Sequence, residues 1–242
     1  MRAETRHQLK QDRFSKVTFD AAGNAAHWTA EHQTKLVVAL IAVVIVGAIA
    51  FGGWYYVNSQ DEKASADLSI AVRTFETPIR PAGSPPQPDF PTFASAQERA
   101  TAARKQFQEI VDKYPHTHTA DVARYFVGMT SVQPGDNATA ERNLQEAATS
   151  SNRDLAALDK FALASVYRAE NKDAQAIEIY KQLIDKPTIV VSKATAQLEL
   201  ADYYESKQKP DEAKKIYDQV AKENPSTEAA SIAQRREAAL KQ

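Results

Sequence analysis

Apolar positions in the second half of the chain recur in short helical runs separated by polar turns. Leu163, Ala164 and Tyr167 fall at i, i+1 and i+4. Ala176, Tyr180 and Leu183 fall at i, i+4 and i+7, so each set lines one stripe of a helix. Between them lies the polar run Glu170-Asn171-Lys172-Asp173, and Pro187 follows. The same order returns 37 residues later as Leu200, Ala201, Tyr204, Ala213, Tyr217 and Val220, with Ser206 to Pro210 as the turn and Pro225 beyond. Asp173 is expected to cap the second helix of its hairpin, and Pro210 to occupy a first helical position. A single hairpin of this kind cannot bury its apolar face, so copies at a fixed period predict a stack.

The pattern resembles the tetratricopeptide repeat, whose motif runs Leu-Gly/Ala/Ser-x-x-Tyr and then Ala-x-x-x-Phe/Tyr-x-x-Ala/Leu with a late proline. A weaker copy keeps the internal spacing as Val127, Gly128, Ser131, Ala140, Leu144 and Ala147, with Ser131 and Leu144 departing from the aromatic pattern. Ala103, Phe107, Ile110 and Pro115 read as the second helix of a further copy, whose first helix is not adjacent. The resemblance covers roughly residues 95 to 225.

The first half is patterned differently. Leu36 to Val57 is a run of 22 uncharged residues, which as a helix spans about 33 Å, enough for a bilayer core. Trp54, Tyr55 and Tyr56 stand at one end as interfacial aromatics do. Six Lys or Arg precede the run in residues 1–35, against Lys63 alone in the 15 residues after it. That bias puts the N-terminus in the cytoplasm and the repeats outside it. Ala64-Ser65-Ala66 has cleavage-site character, but a run this long preceded by 35 residues favours an uncleaved anchor. Residues 1–34 read either as a short helix on anionic lipid, with Leu9, Arg13 and Phe14 on one face, or as a loosely ordered tail.

Leu68, Ala71, Val72 and Phe75 resume helical spacing and are read as the missing first helix of the first hairpin. Six of the eleven prolines then crowd into Thr77 to Phe93, which predicts an extended, mobile loop. That loop is either an inert insertion or a partner-binding strap. Ser95-Ala96-Gln97-Glu98 has capping-box spacing, Asp136 or Asn137 and Ser192 are expected caps, and Thr227 to Lys241 reads as a capping helix for the end of the stack.

Composition removes several classes of chemistry. There is no cysteine, so disulfides, thiolate metal sites and a cysteine nucleophile are excluded. The formal net charge of −1 offers no basic footprint for nucleic acid. His116 and His118, with Asp121 nearby, lie in a link after Pro115 where their spacing fixes no metal geometry, and they are read as solvated. No phosphate-binding glycine motif or nucleophile motif occurs, so the protein is read as a non-enzyme without cofactor or metal.

What remains is a binding face. The tetratricopeptide resemblance implies that first helices line the inner side of a superhelix. Mapped copy by copy, the candidate partner groove is Val122, Tyr125 and Met129, then Phe161, Ser165 and Arg168, then Leu198, Asp202 and Glu205. It is apolar at one end and acidic at the other. Some members of the family clamp a C-terminal carboxylate with Lys and Asn at matching positions. Their absence here disfavours that mode and suits extended chains with apolar side chains.

The expected fold is all-α: a single N-terminal transmembrane helix followed by a tetratricopeptide-type α-solenoid of three to four helical hairpins. The expected segments are a polar cytoplasmic segment (1–34), a transmembrane helix (35–58), a helix continuing from the anchor (59–76), a Pro-rich loop (77–94) and a repeat domain with a capping helix (95–242). This layout is similar to the family of the membrane-anchored ancillary subunit of the bacterial SecYEG translocon. That resemblance implies a single-pass inner-membrane protein whose periplasmic repeats dock translocon subunits, periplasmic chaperones or client chains. The alternative is a structural component of an envelope assembly, in cell division or outer-membrane biogenesis, without client binding.

Overall fold

The computed structural model describes residues 32–85, 91–132 and 135–240. The expected N-terminal helix around Leu9 to Phe14, Pro86, Pro88 and Lys241 lie outside the described residues. Every regular element among the described residues is an α-helix, and the β-type pairing is confined to an isolated bridge between Ile79 and Phe93. The helices are α1 (Gln33–Glu76), α2 (Ala96–Lys113), α3 (His118–Val132), α4 (Asn137–Ala147), α5 (Arg153–Ala169), α6 (Asp173–Asp185), α7 (Lys193–Ser206), α8 (Pro210–Glu223) and α9 (Glu228–Ala239). The chain divides into two compact units, Met1–Tyr56 and Val57–Gln242.

In the first unit, the apolar part of α1 is long and hydrophobic enough to cross a membrane, and none of its most apolar 18-residue stretch is buried. Val43, Ile49, Phe51 and Trp54 are all exposed. A helix that is apolar on every side and is left unburied by the other described residues suits a lipid surround better than water.

The second unit is a run of antiparallel hairpins in which each helix packs on the next, from α2 through α9. Its first hairpin is completed by the end of α1. Ala64 and Ala71 are buried, and Leu68, Val72 and Phe75 pack against Phe107, Ile110, Val111 and Val127. Phe126 stacks on Phe107 with ring centroids 4.7 Å apart. The Asp61 carboxylate accepts from the Thr119 N–H at 2.8 Å, and the Asp67 carboxylate from the Tyr114 hydroxyl at 3.0 Å. The missing first helix is thus the one that the Leu68–Phe75 spacing marks out.

The later hairpins share one turn. Gly135, Asn171 and Gln208, at equivalent repeat positions, all have positive φ, at 80°, 57° and 57°. In each, the next residue donates its N–H back towards the end of the preceding helix: Asp136 to Ser131 at 3.0 Å, Lys172 to Tyr167 at 2.9 Å and Lys209 to Tyr204 at 2.9 Å. The left-handed residue itself donates to Val132, Arg168 or Glu205. This is the Schellman closure of a helix C-terminus, and it satisfies carbonyls that would otherwise be orphaned.

The same turn fixes where the following helix begins. Asp136 is an N-cap, accepting from the Thr139 N–H, but in the next copy the N-cap position falls on Lys172. Asp173 is therefore not the cap expected from the sequence. It sits one residue inside, in the first turn, where its carboxylate meets Lys207 at 2.9 Å. Pro210 does occupy the first position of α8. Ser95 and Ser192 cap as expected, Thr227 caps α9 as well, and Glu98 closes back onto the Ala94 N–H at 2.8 Å.

The small residues of the motif set the approach of the helices. Ala164, Ala176, Ala201 and Ala213 have no exposed surface. At Gly128 a Cβ would lie 2.5 Å from the Leu144 Cγ, so α3 and α4 touch here only because the side chain is missing. The Pro-rich loop departs from expectation at its base. Arg80 N–H donates to Phe93 at 2.9 Å, Phe93 N–H to Pro78 at 3.1 Å, and the Arg99 guanidinium to the Thr77 carbonyl at 3.2 Å. The two ends of the loop are pinned together rather than free, because three backbone carbonyls there find donors.

Candidate functional site

The nine groove positions fall, as triads, on the first helices α3, α5 and α7, and none of them is buried. Met129 and Ser165 are exposed, and the other seven are half-buried. Val122, Tyr125 and Met129 are at i, i+3 and i+7 on α3, and Phe161, Ser165 and Arg168 take nearly the same spacing on α5. Tyr125 and Phe161 both pack against the central core that contains Leu163, Tyr167 and Tyr180. Phe161 meets the Tyr180 ring edge-on at 6.3 Å, and Tyr125 meets Phe126 in the same way at 5.4 Å. The apolar end of the expected groove is therefore assembled from two adjacent hairpins.

The polar end differs from the sequence reading. Arg168 is not a free cation: its guanidinium pairs with Glu199 on α7 at 2.8 Å and lies 5.6 Å over the Tyr203 ring. Asp202 and Glu205 are not free acids either. The Tyr217 hydroxyl donates to both carboxylates, and Arg236 of α9 lies 3.6 Å from Asp202 and 3.9 Å from Glu205. Burial, followed by these two carboxylates, raises the Tyr217 pKa well above the usual tyrosine range. The acidic end is thus an internal network, because a buried tyrosine hydroxyl needs an acceptor and a capping helix supplies the counter-charge. Leu198 packs into the terminal core beside Tyr204 and Ile216.

The repeat tyrosines also do more than fill space. The hydroxyls of Tyr167, Tyr180 and Tyr217 meet polar partners. Tyr167 accepts from the Gln145 amide at 2.7 Å, Tyr180 faces the Arg168 guanidinium at 3.5 Å, and Tyr217 holds Asp202 and Glu205. The hydroxyls of Tyr180 and Tyr217 tie the two helices of one hairpin, and that of Tyr167 ties one hairpin to its neighbour.

One functional-looking residue lies outside the sequence-derived set. Asp159 on α5 is fully buried, and neither of its carboxyl oxygens has a hydrogen-bond partner among the described residues. Burial, reinforced by the Asp121 carboxylate, pushes its pKa up to about 8. The Tyr125 hydroxyl, a groove position, is raised by burial and by the charge of Asp159. The available signal was positional: Asp159 precedes Leu163 by four and Val166 by seven, placing it on the buried stripe.

The histidine pair is split. His118 opens α3 rather than lying in the link with His116, and Asp121 is occupied by Arg124 at 3.0 Å and Ser150 at 2.9 Å. No group of three or more potential ligands capable of holding a metal ion occurs among the described residues.

Comparison with known families gives two matches. A model described as tetratricopeptide repeat-like domain matches residues 26–187, and one described as tetratricopeptide repeat matches residues 195–227, the hairpin of α7 and α8. No curated protein and no solved structure matches the chain. The first match takes in the apolar helix and three hairpins, well over half of the 242 residues. Motif, shared turns and stacked hairpins agree with it, and the chain belongs to the tetratricopeptide repeat-like domain family.

Proposed function

We propose that the protein is a membrane-anchored interaction scaffold, single-pass in a bacterial inner membrane, with its N-terminus in the cytoplasm and its repeats in the periplasm. Tetratricopeptide repeats are protein-interaction modules, and two family matches put this chain among them. The observation that carries the membrane part is α1, an unburied apolar helix whose last turns complete the first hairpin. The excess of Lys and Arg before it supports the orientation. Partners are translocon subunits, periplasmic chaperones or client chains. The groove residues that meet them are Val122, Tyr125, Met129 and Phe161, whose partly exposed apolar surface fits an extended chain.

A second reading has its own support. Arg168, Asp202 and Glu205 are taken up by internal pairs, which leaves the far end of the groove with few free polar handles. That favours a structural component of an envelope assembly that binds no clients. Protease treatment of sealed membranes tests the orientation: the repeats must be cut only from the non-cytoplasmic side. Co-purification in mild detergent separates the two roles. Translocon subunits or chaperones lost on Phe161→Ala support the scaffold. Division or outer-membrane biogenesis proteins retained on Phe161→Ala would replace it.

A further inference from the structure

A second recess shares none of the nine groove residues. It is a cavity of about 370 Å3 where the link between α4 and α5 meets the C-terminal end of α6. Ala156, Ala157 and Leu183 line it with apolar surface, and Arg153, Lys160 and Lys186 line it with cations, against Asp185 as the single acid. None of these three cations forms an ion pair among the described residues. Lys172, in the turn between α5 and α6, is held by carboxylates, as are Lys193, Lys207 and Lys214 of the following hairpin. Helix electrostatics account for Lys186, which is the C-cap of α6, where the backbone dipole favours a cation, but not for Arg153, which is the first residue of α5, the end that favours an acid.

The cavity continues into an apolar projection. Thr188 lines the cavity and also closes the next turn: its N–H donates to the Val191 carbonyl at 2.9 Å, and its hydroxyl accepts from the Val191 N–H at 3.1 Å. Val191 is buried, which seats the turn, while Ile189 is 94 % exposed and Val190 53 % exposed. A lone exposed aliphatic residue needs no explanation. Two of them held out by an ordered turn beside a cationic recess form a mixed surface of the kind that recognises mixed ligands.

We propose that this recess and the Ile189–Val190 turn form a docking site for an extended acidic protein segment in which carboxylates alternate with apolar side chains. In an extended chain successive side chains face opposite ways, so a segment lying between the two features turns its carboxylates to Arg153, Lys160 and Lys186 and its apolar residues to Ile189 and Val190. The unpaired cations gain charge-assisted hydrogen bonds they lack in the free protein. An inorganic anion would leave the apolar surface unmet. A flat anionic bilayer would meet the projection but not the floor of the recess.

The test uses the full chain in mild detergent and a fluorescein-labelled octapeptide of alternating Glu and Leu, followed by fluorescence anisotropy. Saturable binding that weakens with added salt is expected. Lys160→Glu with Lys186→Glu should weaken it by about tenfold or more, and Ile189→Ser by a few-fold. Arg153→Ala is a milder variant at an exposed position and should weaken it in the same direction. Phe161→Ala should leave it unchanged, so the failure of this site and the failure of the groove reading are distinguishable. No saturable binding, equal binding by the cation variants, or equal binding of a Lys-Leu peptide overturns the proposal. So does displacement of the peptide by inorganic phosphate where sodium chloride of equal ionic strength leaves it bound, or by detergent micelles carrying an anionic phospholipid equally from the unaltered chain and the Ile189→Ser variant.

Discussion

Replacing Asp159 with asparagine should change how stability depends on pH. The side chain is fully buried, without a hydrogen-bond partner among the described residues, and its pKa is pushed from 3.8 to about 8. Below the lower value the carboxyl is protonated in folded and unfolded chains alike and contributes no pH dependence. Between the two values the unfolded chain has lost the proton and the folded chain keeps it, so stability falls as pH rises, by about 1.4 kcal/mol per pH unit. Above the upper value both forms are ionised and the loss is complete. Over the whole window the shift corresponds to about 6 kcal/mol, but relaxation and water entry reduce such penalties, and about 2 kcal/mol is the expected effect. The asparagine side chain would keep the shape and remove the titration. It still buries an unpaired amide, so the informative quantity is the difference between the two proteins as a function of pH, not either absolute value. Urea unfolding of the full chain in mild detergent, followed by circular dichroism, supplies it. Relative to its standing near the lower value of 3.8, D159N should gain about 2 kcal/mol on the unaltered chain by pH 7.5. Parallel pH profiles, or a variant that loses ground as pH rises, would refute the reasoning.

Three further outcomes follow from named contacts. Tyr217→Phe removes the donor to Asp202 and Glu205 and leaves them to Arg236 alone, so unfolding should become easier by about 1.5–3 kcal/mol. In a double-mutant cycle, Asp202→Asn should cost less in the phenylalanine background than in the unaltered chain. Gln208→Gly should stabilise by about 0.5–1 kcal/mol, because Gln208 holds a positive φ of 57° that glycine adopts without strain. A lower urea midpoint for that variant would contradict the turn geometry. Gly128→Val should destabilise by about 2 kcal/mol or more, since its Cβ would meet Leu144, and a Leu144→Ala change should relieve part of that cost. Thermal unfolding of the single and double variants measures both.

Much of the architecture was legible because the contacts that make it are local or periodic. Leu163, Ala176 and Tyr180 announce a hairpin through spacings within one helix, and a fixed offset announces its neighbour. Leu68 to Phe75 could be assigned across a Pro-rich interruption because helical periodicity survives whatever lies between the two helices. The N-cap of α6 was missed by one residue because the preceding Schellman turn, not the preference of aspartate for caps, sets the register there. The charge state of the groove was illegible for a different reason. Arg168 meets Glu199 from 31 residues away, and Arg236 reaches Asp202 from the capping helix, so the partners lie on other hairpins, outside the spacings of a single helix.

That distinction bears on where recognition resides. A motif tyrosine such as Tyr217 buries its ring in one hairpin and spends its hydroxyl on carboxylates that a sequence reading assigns to a ligand. Polar residues on the first helices of the hairpins therefore divide into those held by other helices of the stack and those without such a partner, and only their long-range pairing tells them apart. By that criterion Arg168, Asp202 and Glu205 belong to the stack. Tyr125, Met129 and Phe161 keep partly open apolar surface, and Arg153, Lys160 and Lys186 form no ion pair among the described residues. The two sets lie at different places in the repeat domain and differ in chemistry, so an extended apolar chain and an acidic segment are not competitors for one surface. A protein that carried both features would engage both sets, and its affinity would exceed either site alone through the effective concentration that linkage supplies.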